Sequence, residues 1–196
     1  MALQPTDFVS GRPARSLGGH PRAEGHDKDM RLETERLVLR EFRPEDLDAY
    51  AAMCADPEVM RYLSVDGTVL TREEAWRQMA MFAGHWVLRD FGMWVVEHRP
   101  TGDFLGRVGL HYPEGWPDRE VGWCLARLYW GQGFATEAAE AAIRHAFERL
   151  EWRHVISLIR PENRRSIQLA VRLGERFEGT EDVGGVLHDV YGLSRA

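Results

Sequence analysis

Tyr129-Trp130-Gly131-Gln132-Gly133-Phe134-Ala135-Thr136-Glu137-Ala138 is the most informative stretch of this chain. It follows a predicted strand over residues 120–125 and leads into a predicted helix that ends near Leu150. Gly131 and Gly133 lack a β-carbon, so the backbone can turn tightly there and approach a ligand closely. The first N–H groups of a helix have no partner within it, and the helix dipole adds partial positive charge. This order of strand, glycine loop and helix predicts a site for an anion such as a pyrophosphate.

Other interpretations of the loop are weaker. Two glycines one residue apart are also compatible with a simple tight turn that binds no ligand. Against this, the following helix has a continuous apolar face that would hold the loop rigidly. Nucleoside triphosphatase loops need a lysine and a hydroxyl residue where this chain has Phe134 and Ala135. The dinucleotide fingerprint needs a third small residue at a fixed spacing, which residues 134–136 do not supply. A phosphate-binding loop of another type is therefore favoured.

The chain resembles the GNAT superfamily of N-acetyltransferases. The resemblance covers residues 31–196 and rests on the loop string YWGQGFATEA together with LETERLVLREFRPEDL, FGMWVVEHRPTGDFLGRVGL and RPENRRSIQLAVRLG. These strings are most similar to the branch that includes ribosomal-protein N-terminal acetyltransferases. One position departs from the general pattern, because the family loop begins with Arg or Gln where this chain has Leu128.

The resemblance and the hydrophobic periodicity together predict an α/β fold. The GNAT fold has a central mixed, mostly antiparallel twisted sheet, a splay between two central parallel strands, and helices on both faces. Periodicity predicts strands at 36–42, 91–98, 104–110, 120–125, 154–159, 177–180 and 186–193, and helices at 44–56, 134–150 and 164–173. A further helix is predicted after Thr71, which forms a capping-box pattern with Glu74.

Length and composition predict one folded domain. The chain has 196 residues, of which 44% are hydrophobic, enough for one core and few for two. Residues 1–29 contain scattered apolar residues among several glycines and prolines, so we expect a disordered extension ahead of a domain over residues 30–196. The extension is either a misassigned segment before a true start at Met30 or a genuine flexible tail.

Charge and cysteine content exclude several classes of protein. The formal net charge of −6 argues against a nucleic-acid partner. Cys54 and Cys124 have no paired spacing, and the histidines have no ligand spacing, so neither a disulfide framework nor a metal site is expected. No apolar run is long enough to span a bilayer or to form a secretory signal, so no membrane contact is expected. A cytoplasmic location follows from these features.

The resemblance implies acetyl-CoA as the cosubstrate, with its pantetheine arm in the gap between the splayed strands. Main-chain groups of Cys124 to Ala126 would bind the pantetheine amides, and the amides of Gly131 to Ala135 would bind the pyrophosphate. Asn163 matches a coenzyme-contacting position, although an asparagine there can equally be a helix N-cap. The predicted coenzyme-binding residues are Cys124, Leu125, Ala126, Trp130, Gly131, Gln132, Gly133, Phe134, Ala135, Thr136, Asn163 and Ser166.

The reaction implied is direct attack of a primary amine on the acetyl carbonyl in a ternary complex. Alkyl amines are mostly protonated near neutral pH, so a proton acceptor is needed. Glu120 is the leading candidate, and the alternative is a solvated carboxylate at a strand edge. The tyrosine that many family members use as general acid falls at Ala170, so Ser166, Tyr191 or water would protonate the thiolate.

The acceptor site is predicted from aromatic and polar residues near the splay: Tyr62, His111 and Trp116. The acceptor is either a protein N-terminus or a small-molecule amine. The missing tyrosine leaves open a domain that binds acyl-CoA as a sensor without turnover, and a third interpretation is an anion-binding α/β domain without affinity for coenzyme A. The resemblance is compatible with a monomer or a homodimer.

Overall fold

The computed structural model describes residues 30–195, and the predicted N-terminal extension lies outside the described residues. A single eight-stranded sheet forms the centre of this part of the chain. Its strands are β1 (Leu32–Glu33), β2 (Leu37–Arg40), β3 (Met93–His98), β4 (Phe104–His111), β5 (Glu120–Leu125), β6 (His154–Ile159), β7 (Arg176–Val183) and β8 (Val186–Ser194). Their order across the sheet is β1-β2-β3-β4-β5-β6-β8-β7. All neighbours are antiparallel except β5 and β6, which confirms the predicted mixed sheet.

Five α-helices lie between the strands of the described segment. They are α1 (Leu47–Cys54), α2 (Pro57–Met60), α3 (Arg72–Arg89), α4 (Phe134–Glu148) and α5 (Arg164–Arg172). The predicted capping box is present, since the Thr71 hydroxyl accepts from the Glu74 amide at 3.2 Å and the Glu74 carboxylate accepts from the Thr71 amide at 2.8 Å. The helix predicted over residues 44–56 is present as α1. A 3-10 turn precedes α1, and extended backbone at Asp56 separates it from α2.

The helices cover both faces of the sheet, as predicted. Alternate residues of a strand point to opposite faces, so one strand supplies two cores. Val121 and Leu125 of β5 pack in one hydrophobic cluster with Ala142 of α4. Cys124 of the same strand packs in the other cluster with Tyr50 of α1 and with α3 residues. Burial of both faces holds β5 rigidly between two layers of helices.

The two parallel strands part almost as soon as they meet. Glu120 opposite Ile156 is their one paired position, where the Ile156 amide donates to the Arg119 carbonyl at 2.9 Å. Just beyond this pair, Ser157 Oγ lies 2.9 Å from the Val121 carbonyl oxygen, so a side chain replaces the next ladder bond. The predicted splay is therefore present, and it opens toward the glycine loop at the end of β5.

A buried carboxyl group lies beside this splay. Glu175 is 2% exposed, and its Oε1 lies 3.0 Å from Ser157 Oγ. Burial raises the pKa of Glu175 to about 8, against a lowering by the Ser157 hydrogen bond, and the charges of Glu120 and Glu178 raise it further. The serine hydroxyl has one hydrogen and lies near two oxygens. A protonated Glu175 satisfies both contacts, because its carboxyl group donates to the Ser157 oxygen while the Ser157 hydroxyl donates to the Val121 carbonyl.

We expect Glu175 to make the fold less stable as the pH rises. Its folded pKa of about 8 lies above the ordinary 4.5, so the folded state holds the proton more strongly, and stability falls as the pH rises from about 4.5 through about 8. The loss is on the order of 5 kcal/mol. Glu175→Gln, whose amide can also donate to Ser157, should abolish most of this loss. Urea unfolding at several pH values measures it; the same slope in Glu175→Gln and in the exposed control Glu140→Gln would contradict the assignment.

Candidate active site

The glycine loop has the conformation that its sequence requires. Gly131 and Gly133 adopt φ values of +74° and +83°, a region that is unfavourable for residues with a β-carbon. Gly133 is the N-cap of α4, and no side chain caps the helix there. The first amides of α4 therefore remain available at the positive end of the helix dipole. This arrangement suits a phosphate group.

A cleft of about 740 Å³ extends from this loop into the splay. Most of the predicted coenzyme-binding residues line it: Cys124, Leu125, Trp130, Gly131, Gly133, Phe134, Ala135, Thr136, Asn163 and Ser166. Gln132 does not, because its side-chain amide donates to the Leu128 carbonyl at 2.9 Å. Ala126 does not either, since its amide donates to the Leu105 carbonyl at 2.8 Å on the far side of the strand.

The main-chain groups that face the splay differ from those predicted. The Val121 carbonyl faces β6, and main-chain groups alternate between the edges of a strand, so Trp123 and Leu125 face β6 as well. The indole of Trp130 donates to the Leu125 carbonyl at 2.7 Å, which leaves the Leu125 amide and both groups of Trp123 at the open edge. Cys124 directs its main chain toward β4 instead. This register does not support the predicted main-chain contacts of Cys124 and Ala126 with pantetheine, although Cys124 lines the cleft, and Trp123 was missed because its edge depends on register.

Arginine side chains give the first cleft a positive lining. Those that line it are Arg61, Arg164, Arg165 and Arg172. The Arg165 guanidinium lies 4.5 Å from the ring centre of Trp130. Arg127 instead pairs with Asp56 at 3.0 Å and lies outside the cleft lining. Guanidinium groups bind phosphate oxygens well, so the cleft fits a polyanion such as coenzyme A.

Arg36 fastens the glycine loop to the start of β2. Its Nε lies 2.7 Å from Glu137 Oε2, and its Nη1 donates to the Gln132 carbonyl at 3.0 Å. The guanidinium carbon also lies 4.4 Å from the ring centre of Phe134. Sequence reasoning missed this contact, although Arg36 and Glu137 both lie in the strings that carry the family resemblance. The loop is therefore held in shape before any ligand arrives.

Alanine at Gly133 is expected to weaken coenzyme A binding about tenfold. Its φ of +83° disfavours a side chain, and a β-carbon would lie 3.3 Å from Arg36 Nη2, so the backbone is strained and the Arg36 contact with the loop is displaced. Calorimetric titration with coenzyme A measures the change. The matched control is Gly184→Ala, which has a φ of +64° in the β7–β8 turn with open space around it. Equal affinities in both variants would show that the loop amides do not bind the coenzyme.

A second, smaller cleft of about 230 Å³ opens beside the first. Tyr62, His111, Trp116 and Glu120 line it, so the structure brings the predicted base and acceptor residues together. The two clefts share lining residues at the splay: Tyr62, Leu63, Trp123, Asn163 and Ser166. A molecule in the second cleft would therefore meet the end of a ligand that lies in the first.

Glu120 lies at the base of the second cleft and not at an open strand edge. Trp116 Nε1 donates to its Oε2 at 2.8 Å. Burial raises the pKa of Glu120 to about 7, while the Trp116 hydrogen bond, the charge of Arg107 and the Leu158 amide act in the opposite direction. A group with a pKa near the working pH can both accept and release a proton. Glu120 has the properties of a general base.

His111 is unsuited to that role. Burial lowers the pKa of His111 to about 3, and the charges of Arg107 and His85 add to the lowering. Its ring centre lies 5.0 Å from that of Trp116 and 5.5 Å from that of His85. The imidazole is therefore neutral near pH 7 and forms part of the wall of the second cleft.

The two predicted proton donors lie in different places. Ser166 lines both clefts, with its Oγ 3.2 Å from Trp123 Nε1. Tyr191 lies on β8 against Phe177, with ring centres 5.9 Å apart, and lines neither cleft. The prediction of a catalytic role for Tyr191 therefore has no support in the geometry. Asn163 is the N-cap of α5, its Oδ1 accepting from the Ser166 amide at 3.3 Å, and it also faces both clefts.

Comparison with known proteins agrees with this geometry. The family described as acetyltransferase (GNAT) domain matches residues 36–176. The chain belongs to the GNAT acetyltransferase family. This GNAT protein is 32% identical to an uncharacterized N-acetyltransferase, p20, of Bacillus licheniformis over 83% of the chain and 94% of the relative. It is an acetyl-CoA-dependent acetyltransferase, as these matches show.

Solved structures show the same fold. An acetyltransferase of Agrobacterium tumefaciens superposes with a TM-score of 0.75 at 26% identity, covering 94% of this chain and 100% of the other. A ribosomal L7/L12 alpha-N-protein acetyltransferase in complex with coenzyme A superposes with a TM-score of 0.68 at 20% identity, covering 82% and 95%. The second likeness concerns the fold alone. The predicted GNAT fold is confirmed.

Two features are absent from residues 30–195 of this GNAT protein. None of the helices in this part of the chain combines the length and apolarity that crossing a membrane requires. Within the same residues, no group of three or more His, Cys, Asp or Glu side chains is placed to hold a metal ion. Cys54 and Cys124 are both free and buried.

Proposed function

We propose that the protein transfers the acetyl group of acetyl-CoA to a primary amine by direct attack in a ternary complex. The observation that carries this proposal is the position of Glu120. Its carboxyl group, with a pKa raised to about 7 by burial, lies in a small cleft that meets the larger cleft where β5 and β6 part. A proton acceptor, an acceptor pocket and a coenzyme cleft therefore meet at one point.

The larger cleft supplies the binding groups for acetyl-CoA. The α4 amides and the glycine loop would hold the pyrophosphate, and the open edge of β5 at Trp123 and Leu125 would bind the pantetheine amides. Nearby arginines, among them Arg165 and Arg172, would contact phosphate oxygens. This arrangement places the thioester near the mouth of the smaller cleft.

The chemical steps follow from the residues at that junction. Glu120 accepts a proton from the ammonium form of the acceptor, and the free amine attacks the carbonyl carbon. A new N–C bond forms while the C–S bond breaks, and the amide of Leu125 or Trp123 stabilises the oxyanion of the tetrahedral intermediate. The thiolate takes a proton from Ser166 or water. The acceptor loses two protons in all, of which the thiol keeps one and solvent receives the other.

Coenzyme release measured with a thiol reagent tests this function. The panel should contain amino acids, amino acid amides, polyamines and short peptides with free N-termini, each incubated with acetyl-CoA. We expect stoichiometric thiol release and N-acetyl product with at least one class. Tight calorimetric binding of coenzyme A with no turnover across the panel would favour the acyl-CoA sensor, and absence of coenzyme binding would favour a different anion-binding domain.

A further inference from the structure

Arg107 of β4 lies in the wall of the smaller cleft with no anionic partner. No carboxylate oxygen of residues 30–195 lies within 4 Å of its guanidinium, and its buried Nε has no hydrogen-bond partner. Its Nη1 lies 3.7 Å from Met93 Sδ, and its guanidinium carbon lies 4.7 Å from the ring centre of Phe82. The Tyr50 hydroxyl is a neutral neighbour. An arginine stays protonated in such surroundings, so the cleft contains a permanent positive charge.

A second buried arginine shows how this fold treats such a charge elsewhere. Arg40 is 8% exposed, and its guanidinium bonds to both carboxylate oxygens of Asp46, at 2.7 and 2.8 Å, and to Glu97 at 2.7 Å. A buried charge is normally paired in this way, because desolvation disfavours the unpaired ion. Arg107 differs in that its unpaired side lines a cleft. The missing anion is therefore expected to come from a ligand.

The sheet register places Arg107 and Glu120 on one face of the sheet. Arg107 is opposite Cys124, Gly109 is opposite Gly122, and His111 is opposite Glu120. Alternate residues share a face, so the two charged groups lie along one strip with a pair of glycines between them. The pair of Arg107 with Cys124 and the pair of His111 with Glu120 lie four residues apart along the strands, so their α-carbons are separated by about 13 Å. The long arginine side chain shortens that gap. Neither glycine contributes a side chain to the floor between the charges, and the Met93 side chain lies over Gly122 there.

Charge and size define what fits this strip. The charge of Arg107 lowers the pKa of both Glu120 and His111, so its field reaches the centre of the cleft. A volume of about 230 Å³ suits a small molecule better than a folded chain terminus. A monoanion matches one guanidinium, whereas a phosphate dianion would meet repulsion from Glu120.

We propose that the acceptor is a small primary amine that carries a carboxylate, with the carboxylate bound by Arg107 and the amine beside Glu120. This proposal rests on the acetyltransferase function proposed above and names its substrate class. The aromatic and aliphatic side chains around the cleft, including Phe82, Met81 and Val183, would contact the carbon skeleton of the acceptor.

The test compares amino acids with their primary amides, which keep the amine and lose the negative charge. We expect wild-type kcat/KM to favour glycine, β-alanine, γ-aminobutyrate or larger amino acids over the matching amides by tenfold or more. In Arg107→Met this ratio should fall to about one, mainly through a higher KM for the acids. Comparing ratios between the two proteins cancels the difference in amine pKa between acid and amide. Arg77→Met, at an exposed α3 position, should keep the wild-type ratio.

Stability distinguishes a ligand site from a structural role. If Arg107 is unpaired in the free protein, Arg107→Met should unfold at the wild-type temperature or above, whereas a structural arginine would lower that temperature. Should Arg107→Met not fold, Arg107→Lys is the alternative variant. It keeps the positive charge but lacks the planar guanidinium that binds a carboxylate through two hydrogen bonds, so it should retain only part of the preference for acids over amides. Turnover of amides as fast as acids leaves the acetyltransferase function intact and overturns the carboxylate site. Turnover of peptides alone also overturns it, and turnover of no amine overturns the proposed function.

Discussion

Glutamine in place of Glu120 is expected to lower kcat by about 10²–10⁴-fold, the usual contribution of a general base. Glutamine keeps the shape of the side chain and can still contact Trp116, but it cannot accept the proton. Coenzyme A affinity should stay at the wild-type value, because Glu120 lies in the smaller cleft and does not line the larger one. Steady-state kinetics with the best acceptor, together with calorimetry, separates the two effects.

The dependence of kcat on pH provides a second test of Glu120 as the base. Burial raises the pKa of Glu120 to about 7, so the carboxylate form, which is the active base, is lost as the pH falls through about 7. Wild-type kcat should therefore rise with pH up to a plateau above about 8, and the residual rate of Glu120→Gln should lack this limb. Glu114→Gln is the matched control, since Glu114 is fully exposed in the loop before β5 and pairs with Arg89 at 3.3 Å. An unchanged rate and profile in Glu120→Gln would assign proton removal to water.

Methionine in place of Arg40 is expected to destabilise the fold by about 3–5 kcal/mol, as removal of one partner from a buried ion pair does. Arg40 joins β2 to the turn before α1, because Asp46 binds its guanidinium through both carboxylate oxygens and also accepts from the Arg43 amide at 2.7 Å. Asp46 is 6% exposed, so the variant would leave a buried carboxylate without its counter-ion. Urea unfolding at constant pH measures the loss.

Two controls make this result specific to burial. Glu73→Gln breaks the exposed pair of Glu73 with Arg77, 3.5 Å apart, and should change stability by less than about 0.5 kcal/mol. The double variant Arg40→Met with Asp46→Leu removes both charges and should recover much of the lost stability. A single variant Arg40→Met within about 1 kcal/mol of wild type would show that the Arg40 network contributes little.

Local patterns predicted the elements around the site well. β5 and β6 occupy the predicted residues 120–125 and 154–159, because each is a short apolar run bounded by turn residues. The glycine loop and the capping box of α3 also follow from residue type at a fixed spacing. The position of Glu120 at the start of β5 was part of the same pattern. Such features depend on neighbours within a few residues along the chain.

The errors arose where function depends on distant parts of the chain. Cys124 and Trp123 are adjacent in sequence, yet only the pairing of β5 with β4 determines which of them turns its main chain to the open edge. Tyr191 was a reasonable proton donor by residue type, but the pairing of β8 with β7 and β6 places it away from both clefts. Arg107 has no local signal at all, because its unusual property is the absence of a counter-charge in the folded state.

The amino-acid sequence by itself therefore determined the family and the strand–loop–helix unit that suits a phosphate group, and it supplied Glu120 as the candidate proton acceptor. These depend on glycine conformation, helix ends and side-chain chemistry, which act over short spans of chain. Only the tertiary structure decided which edge of β5 is open, how strongly the pKa of Glu120 is raised, and that Arg107 has no anionic partner in the smaller cleft. Register, burial and charge pairing arise between segments far apart in sequence, so they exist only once the sheet and its covering helices have assembled.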